Sequence, residues 1–344
     1  MKVTTALTTG VVALACVSQA MAQDKAITIN SFGGAYEKAH LKCVIDPFKQ
    51  ETGAEVNIVT AYSADAFSQL RAQKAAPEYD VIHFSGGQEV LGAAEGLTLP
   101  LDPAQVPNLA ELYDFAKAGI ARGEGPAYSI AAIGLIYDGA KLETPPAKWT
   151  DLLDPAYAEH VVIADISNGY GMLAFLMLNQ AVGGSLDDIQ PGLDAVAGML
   201  DAGATVVNTS PEIYQAFGQG DAWIAGYSSD ASFVLKNAGL DAGMILGAEG
   251  VPASYLTANL VAGRPNQELA LKFIDMTLSK SAQECFAQEL RYSPTNSTAE
   301  LAPEVAADLA YGQEAVQAPL RFPPTVIEEH RSEWVERWSK AISR

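Results

Sequence analysis

The chain has 344 residues, 49% hydrophobic and 18% charged, so it can bury a full core and, at this length, more than one. Its 41 acidic against 21 basic residues give a formal net charge of −20, which argues against nucleic acid and anionic membrane surfaces as partners but does not by itself identify a cationic ligand.

Met1 to Ala22 read as an export signal: Lys2 supplies the positive start, Ala6 to Val17 the apolar segment, and Ala20-Met21-Ala22 the small-residue cleavage pattern. Cys16 in Ala13-Leu14-Ala15-Cys16 has the look of a lipid acceptor, with its leucine one place too close, so lipidation stays open. No later segment has the roughly 18 uninterrupted apolar residues of a membrane helix, which implies a mature chain that is exported and not inserted in the bilayer. Of the 3 cysteines, Cys43 and Cys285 then remain. In an oxidising compartment they are either one disulfide or two separate buried thiols.

The mature chain opens with a strand-like run, Ile27 to Ile29, that breaks into Ser31-Phe32-Gly33-Gly34 and passes into an amphipathic helix. Two glycines there let backbone N–H groups approach a ligand, and the helix start adds partial positive charge; the competing reading is a plain tight connection. Val56 to Ala61, Val81 to Ser85 and Val161 to Ile166 are short β-branched runs of the kind buried in parallel sheets, each followed by turn residues and a helical pattern. That order gives an α/β protein with crossover helices. Ala127 to Asp138 is a longer strand leading into Pro145-Pro146, where a boundary falls, and Thr150 can cap a short helix from Asp151 to Leu153. Helices are then expected at 171–180 and 193–202, a strand at 205–208, and a helix, strand and helix through "SPEIYQAFGQGDAWIAGYSSDASFVLKNAG". Ser254 to Gly263 turns strand-like again before a helix opened by Pro265 that holds Leu269 to Leu278.

The openings "ITINSFGGAYEKA" and "PFKQETGAEV", then "YDVIHFSGGQEV", "GLIYDGAKLETPPAKWTDLLDP", "AWIAGYSSDASF", "YLTANLVAG" and "ALKFIDMTLSKSAQECFAQELRYSPTN" together resemble the extracellular solute-binding proteins of ABC importers, in the branch containing the spermidine and putrescine receptors. The resemblance spans nearly the whole mature chain in the right order. It implies a two-lobed periplasmic binding protein of type II, with the ligand in a cleft between α/β lobes joined by crossing strands. Carried over, 1–22 is the signal peptide, 23–133 and 256–302 form the first lobe, 134–255 the second, and the C-terminal helices of 303–344 pack near the second lobe. The crossing strands near Ile133 to Ile136 and Tyr255 to Thr257 act as hinges. The partners implied are a small-molecule ligand, the importer's permease and, through it, an ATPase. The receptor is a periplasmic monomer that needs no cofactor.

Candidate cleft residues sit at strand ends, where open α/β sheets bind ligands. From the first lobe these are Phe32, Gly33, Gly34 and Tyr36, with Tyr62 after the second strand and Ser85, Gly86 and Gly87 after the third. From the second lobe come Asn168, Gly169 and Tyr170, whose amides can hold an anionic or carbonyl group or simply belong to a capped helix, and Tyr227, Ser228 and Asp230. Asp230 can pair a ligand cation or cap its helix. Tyr255 and Thr257, two apart on the returning strand, project to one side, which is the cleft if the family register holds. Polyamine receptors carry an Asp two residues after an aromatic on that strand; this chain has Thr257 there, and the other cleft acid is replaced by the uncharged stretch Asn168 to Met172. A dication would lack compensation in a desolvated cleft unless Asp230 or Glu212 substitutes. The sequence therefore favours a neutral or carboxylate-bearing small organic solute.

An enzyme and an iron-binding receptor are the rival classes. The 4 histidines, His40, His83, His160 and His330, have no metal-ligand spacing, and no nucleophile elbow, Walker loop or nucleotide fingerprint occurs. The iron receptors use adjacent tyrosines, whereas Tyr227 and Tyr255 are far apart in the sequence.

Overall fold

In the computed structural model, residues 25–247, 251–309 and 322–343 are described; the expected signal over residues 1–22, with Cys16, lies outside them. Ten strands follow in chain order as β1 (Ala26–Ser31), β2 (Glu55–Thr60), β3 (Val81–Phe84), β4 (Ala127–Asp138), β5 (Val161–Ala164), β6 (Thr205–Val207), β7 (Ile224–Ser228), β8 (Ala242–Ile245), β9 (Ala253–Leu260) and β10 (Ser293–Pro294). The α-helices are α1 (Gly34–His40), α2 (Asp46–Thr52), α3 (Ser63–Ala72), α4 (Gln88–Ala94), α5 (Gly169–Ala181), α6 (Gln190–Asp201), α7 (Ser210–Gln219), α8 (Ser229–Asn237), α9 (Gln267–Leu278), α10 (Lys280–Leu290), α11 (Pro303–Asp308) and α12 (Pro324–Ile342).

The strands hydrogen-bond in the order β2-β1-β3-β9-β4-β7-β5-β6, with β8 and β10 also on β4. β1 is parallel to β2 and β3, and β5 is parallel to β6 and β7. Between these two parallel groups the antiparallel strands β9 and β4 carry the chain across. β4 is long enough to serve both: Ala127–Ala132 pair with β9, while Ile133–Asp138 pair with β7 and β8. Burial explains the composition. β3 and β7 are buried at every position and mostly apolar, with His83 and Ser228 the buried polar exceptions, whereas β2, at the sheet edge, mixes exposed with partly buried residues.

Several boundaries differ from the sequence pattern for identifiable reasons. β9 already pairs at Ala253 with Ala132, so the return crossing lies ahead of Ala253 and not at Tyr255–Thr257, which sit inside the first ladder. The 3-10 turn after the Pro-Pro segment spans Trp149–Leu153; Thr150 lies within it, and the cap comes from the Asp151 carboxylate, which accepts from the backbone N–H of Ala147 (2.7 Å) and Lys148 (3.1 Å). The first amphipathic helix is interrupted by a π-turn at Leu41–Ile45 before α2, and Gly53 in the left-handed region closes it. α12 packs on α6 of the second parallel group and also reaches α4 of the first.

Between the lower halves of the first group, Asn30 on β1 donates to the carbonyls of Ala61 (3.3 Å) and His83 (3.0 Å) and accepts from the His83 N–H (2.6 Å). One buried amide thus ties β1, β3 and the segment after β2. Cys43, in the π-turn, is joined to Cys285 on α10, closing a loop across 242 residues of sequence. A loop of that length loses much unfolded-state entropy, so Cys43→Ser with Cys285→Ser is expected to lower stability by about 2–5 kcal/mol. Urea unfolding of parent and double variant measures this; maleimide labelling of both thiols in denatured, unreduced parent protein would contradict the bond itself.

Candidate functional site

Six strand ends converge on one cavity of about 630 Å³, the part open to solvent included. β1 runs into Phe32-Gly33-Gly34, β2 into Tyr62-Ser63, β3 into Ser85, β5 into Ser167-Asn168-Gly169, β6 into Ser210-Pro211, and β7 into Asp230; all of these line it. The cavity therefore lies between the two parallel groups at the carboxyl ends of their strands, the place an open α/β sheet offers a ligand.

Its walls are aromatic. The Phe32 ring lies 4.7 Å from Tyr36 and 6.5 Å from Tyr62, parallel to the latter within 8°. Tyr36 shares a hydroxyl–hydroxyl bond with the buried Tyr128, and Tyr170 shares one with Tyr292 at 2.9 Å. Burial pushes the phenols of Tyr36, Tyr170, Tyr214 and Tyr292 well up, so each stays a neutral donor and acceptor.

Asp230 is the acid of this cavity. It stands in the first turn of α8, where a carboxylate is favoured by the helix dipole. Ser228 Oγ donates to its Oδ1 (2.5 Å) and Tyr214 OH to its Oδ2 (3.0 Å). With only 5% of the residue exposed, desolvation raises its pKa above the ordinary carboxylate value, and the hydroxyl donors oppose that rise. From the first group, α3 begins beside the cavity at Ser63 and Ala64 with no side chain capping it, leaving its partial positive charge directed at the space. Ser63 Oγ also accepts from the Ser85 N–H (2.9 Å) and shares a bond with Ser85 Oγ (3.1 Å).

The structure thus brings together Phe32, Gly33, Gly34, Tyr36, Tyr62, Ser85, Asn168, Gly169, Tyr170 and Asp230. It separates the others. Gly86, Gly87 and Tyr255 line a second space of about 400 Å³ beneath α12, and Tyr255 packs on Phe115 at 5.5 Å. Tyr227 is fully buried behind the wall, its hydroxyl bonded to Ser210 Oγ (2.7 Å) and Asn168 Nδ2 (3.2 Å), and Ser228 faces Asp230. Thr257 pairs with Phe84 in the ladder and accepts from Asn259. Two of the amides after Asn168 are engaged by its own side chain, because Asn168 Oδ1 accepts from Tyr170 N (2.9 Å) and Gly171 N (3.5 Å). Glu212 is likewise engaged, accepting from the N–H groups of Asn208 (2.7 Å) and Thr209 (3.0 Å) as a helix cap.

Among the residues the sequence pattern left out are Ser63, Gln88, Ser210, Tyr214 and Tyr292. Tyr214 had a usable signal, four residues after Ser210 on the helix that follows β6. Tyr292 had little, since it follows a left-handed Arg291 (φ 58°) that no motif announces.

The two parallel groups meet at backbone beside the cavity. A Cβ on Gly169 would stand 3.2 Å from the Ser85 carbonyl oxygen and 3.4 Å from Gly86 Cα, and Ser254 Oγ donates to that same carbonyl.

The sequence model of the bacterial extracellular solute-binding protein family matches residues 44–313. The γ-aminobutyric acid-binding protein of Pseudomonas aeruginosa is 26% identical over 343 residues, covering 94% of this chain and 90% of its own. Among solved structures, an Agrobacterium tumefaciens binding protein in complex with agropinic acid aligns with a TM-score of 0.75 at 20% identity, covering 93% of this chain and 99% of its own. A γ-aminobutyrate receptor aligns at 0.74 and 19%, covering 92% and 97%.

Two consequences follow for variants. Gly169→Val is expected to weaken ligand binding by about 1–3 kcal/mol, the usual cost of an overpacked contact, or about 5- to 150-fold, with little change in ligand-free melting; calorimetric titration reads the first and thermal unfolding the second. For Asp230 the folded pKa is raised above the unfolded value, so its ionisation costs stability at neutral pH and the cost fades as pH falls through the raised value. Ligand-free Asp230→Asn should therefore melt no lower than the parent at pH 7, while losing the ligand-induced shift; a markedly less stable variant would contradict the assignment.

Proposed function

The chain belongs to the bacterial extracellular solute-binding protein family, and from that premise we propose that it captures a small ω-amino acid of the γ-aminobutyrate kind. The observation that carries this reading is Asp230: of the residues lining the cavity it alone bears a formal charge. A buried carboxylate with a raised pKa calls for one compensating cation, and tyrosine faces around it attract the same group. An ammonium placed there leaves the rest of a zwitterion to be matched by a carboxylate site. The uncapped start of α3, with Ser63 and Ser85, supplies donors for it.

Putrescine or spermidine would bring further ammonium groups with no second acid to meet them, at several kcal/mol each in a desolvated space. A purely neutral or acidic solute would leave Asp230 unpaired, so the amine is an addition to what the sequence alone favoured. Both γ-aminobutyrate-binding relatives accord with this class. The iron reading loses its ligands, because Tyr227 lies behind the wall and Tyr255 faces the space beneath α12. His40 and His83 lie in the core of the first group and not at the cavity, which supports binding without catalysis.

In this reading the protein is exported to the periplasm, works as a monomer without a cofactor, closes its two lobes on the ligand, and presents both rims to an ABC permease coupled to an ATPase. The cleft residues proposed to touch ligand are Phe32, Tyr36, Tyr62, Ser63, Ser85, Tyr170, Tyr214 and Asp230.

Calorimetric titration with γ-aminobutyrate, 5-aminovalerate, butyrate and putrescine tests the class. The two amino acids are expected to bind, and butyrate and putrescine to bind at least about 30-fold more weakly, the loss of about 2 kcal/mol that removal of one charged hydrogen-bonded contact brings. Putrescine binding as tightly as γ-aminobutyrate would overturn it.

A further inference from the structure

α12 touches both cavity-lining turns, one from each parallel group. At its C-terminal end, Trp338 is buried against Phe175 (5.3 Å, edge-on) and donates from Nε1 to Asp165 Oδ2 (2.8 Å); Asp165 Oδ1 in turn accepts from the N–H of Ser167, which lines the cavity. Arg337 adds a bond to Gln190 at 3.0 Å. This end is rooted in the second group.

At the N-terminal end, Arg331 donates from Nη2 to the Gly86 carbonyl (2.9 Å) and from Nε to Glu328 Oε1 (2.8 Å). Both side chains are largely withdrawn from water, Arg331 to 16% and Glu328 to 4%. Gly87 has φ 93°, and a Cβ there would stand 2.9 Å from Pro324 Cβ, so only glycine lets the helix start seat on this turn. Ser85 and Gln88, on either side of the turn, line the cavity.

We propose that α12 is a closure strap, fixed to the second group by Trp338 and latched to the first by Arg331 on the Gly86 carbonyl, so that Arg331 is a positioning residue for ligand capture. The inference rests on the reading of the cavity as the ligand site. When the groups part, Ser85 and Gly86 move away from Gly169, and the helix can follow only one of the two groups. The Trp338 end is the more deeply packed, so the Arg331 contact is the one that opens. Re-forming it on closure withdraws the Arg331–Glu328 pair from water together with the ligand, and it holds Ser85 and Gln88 in place. The latch therefore acts on how long ligand stays rather than on how fast it arrives.

The test uses the full chain with Arg331→Met combined with Glu328→Met, which removes both charges together and leaves neither buried alone. Stopped-flow release of γ-aminobutyrate is expected to quicken by about tenfold with association changed less than about twofold. Arg331→Lys, which keeps the charge but not the fork, should recover part of the residence time. Small-angle X-ray scattering of the ligand-free proteins should show the double variant more open than the parent, a readout that does not depend on which ligand binds. If γ-aminobutyrate fails to bind the parent, the ligand class is wrong and the scattering alone decides the strap. Superimposable scattering curves, or unchanged release from a parent that does bind, would overturn it.

Discussion

A carboxylate withdrawn from water in a box of neutral phenols is the constraint around which this cavity is organised. Asp230 ionises at a cost, because burial outweighs the donors from Ser228 and Tyr214. A protein whose purpose was stability alone would gain by replacing it. Keeping it makes sense if the charge is completed by a ligand, and the cost is then the differential affinity that drives closure, since only the shut cavity presents Asp230 and the α3 start to the same molecule. In the proposed function, recognition and movement come from one interaction.

That interaction is held in place by connectivity. β4 belongs to both ladders, changing partner between Ala132 and Ile133, so the two groups are joined by continuous strand. Where they meet across the cleft, Gly169 sits against Ser85 and Gly86 with no side chain between. A Cβ at that point would already be a tight contact, and a branched side chain would crowd it further. The disulfide stiffens the first group behind its aromatic wall, in the same helical segment that carries Tyr36.

Much of this was legible from the order of residues. The alternation of short buried strands with helices fixed the class, and strand ends followed by glycine or serine marked Phe32, Gly33, Gly34, Tyr62, Ser85, Asn168 and Asp230 as cavity residues, because in an α/β sheet those ends share one level. What failed depended on depth. Tyr227 and Thr257 lie at the right level but are covered, one by Asn168 and Ser210 and the other by the β3 ladder, and alternation along a strand cannot tell a first layer from a second. Gly86, Gly87 and Tyr255 were diverted by α12, which arrives from more than 60 residues further along and occupies the space in front of them. The Tyr170 and Gly171 amides are taken by the Asn168 side chain, a local competition that a sequence leaves open.

The most direct test is a crystal structure with γ-aminobutyrate bound. The account predicts the ammonium within hydrogen-bond reach of Asp230 and the carboxylate at Ser63 and Ala64, with Gly169 still against Ser85. A ligand in the reverse orientation, or one seated in the space beneath α12, would contradict it.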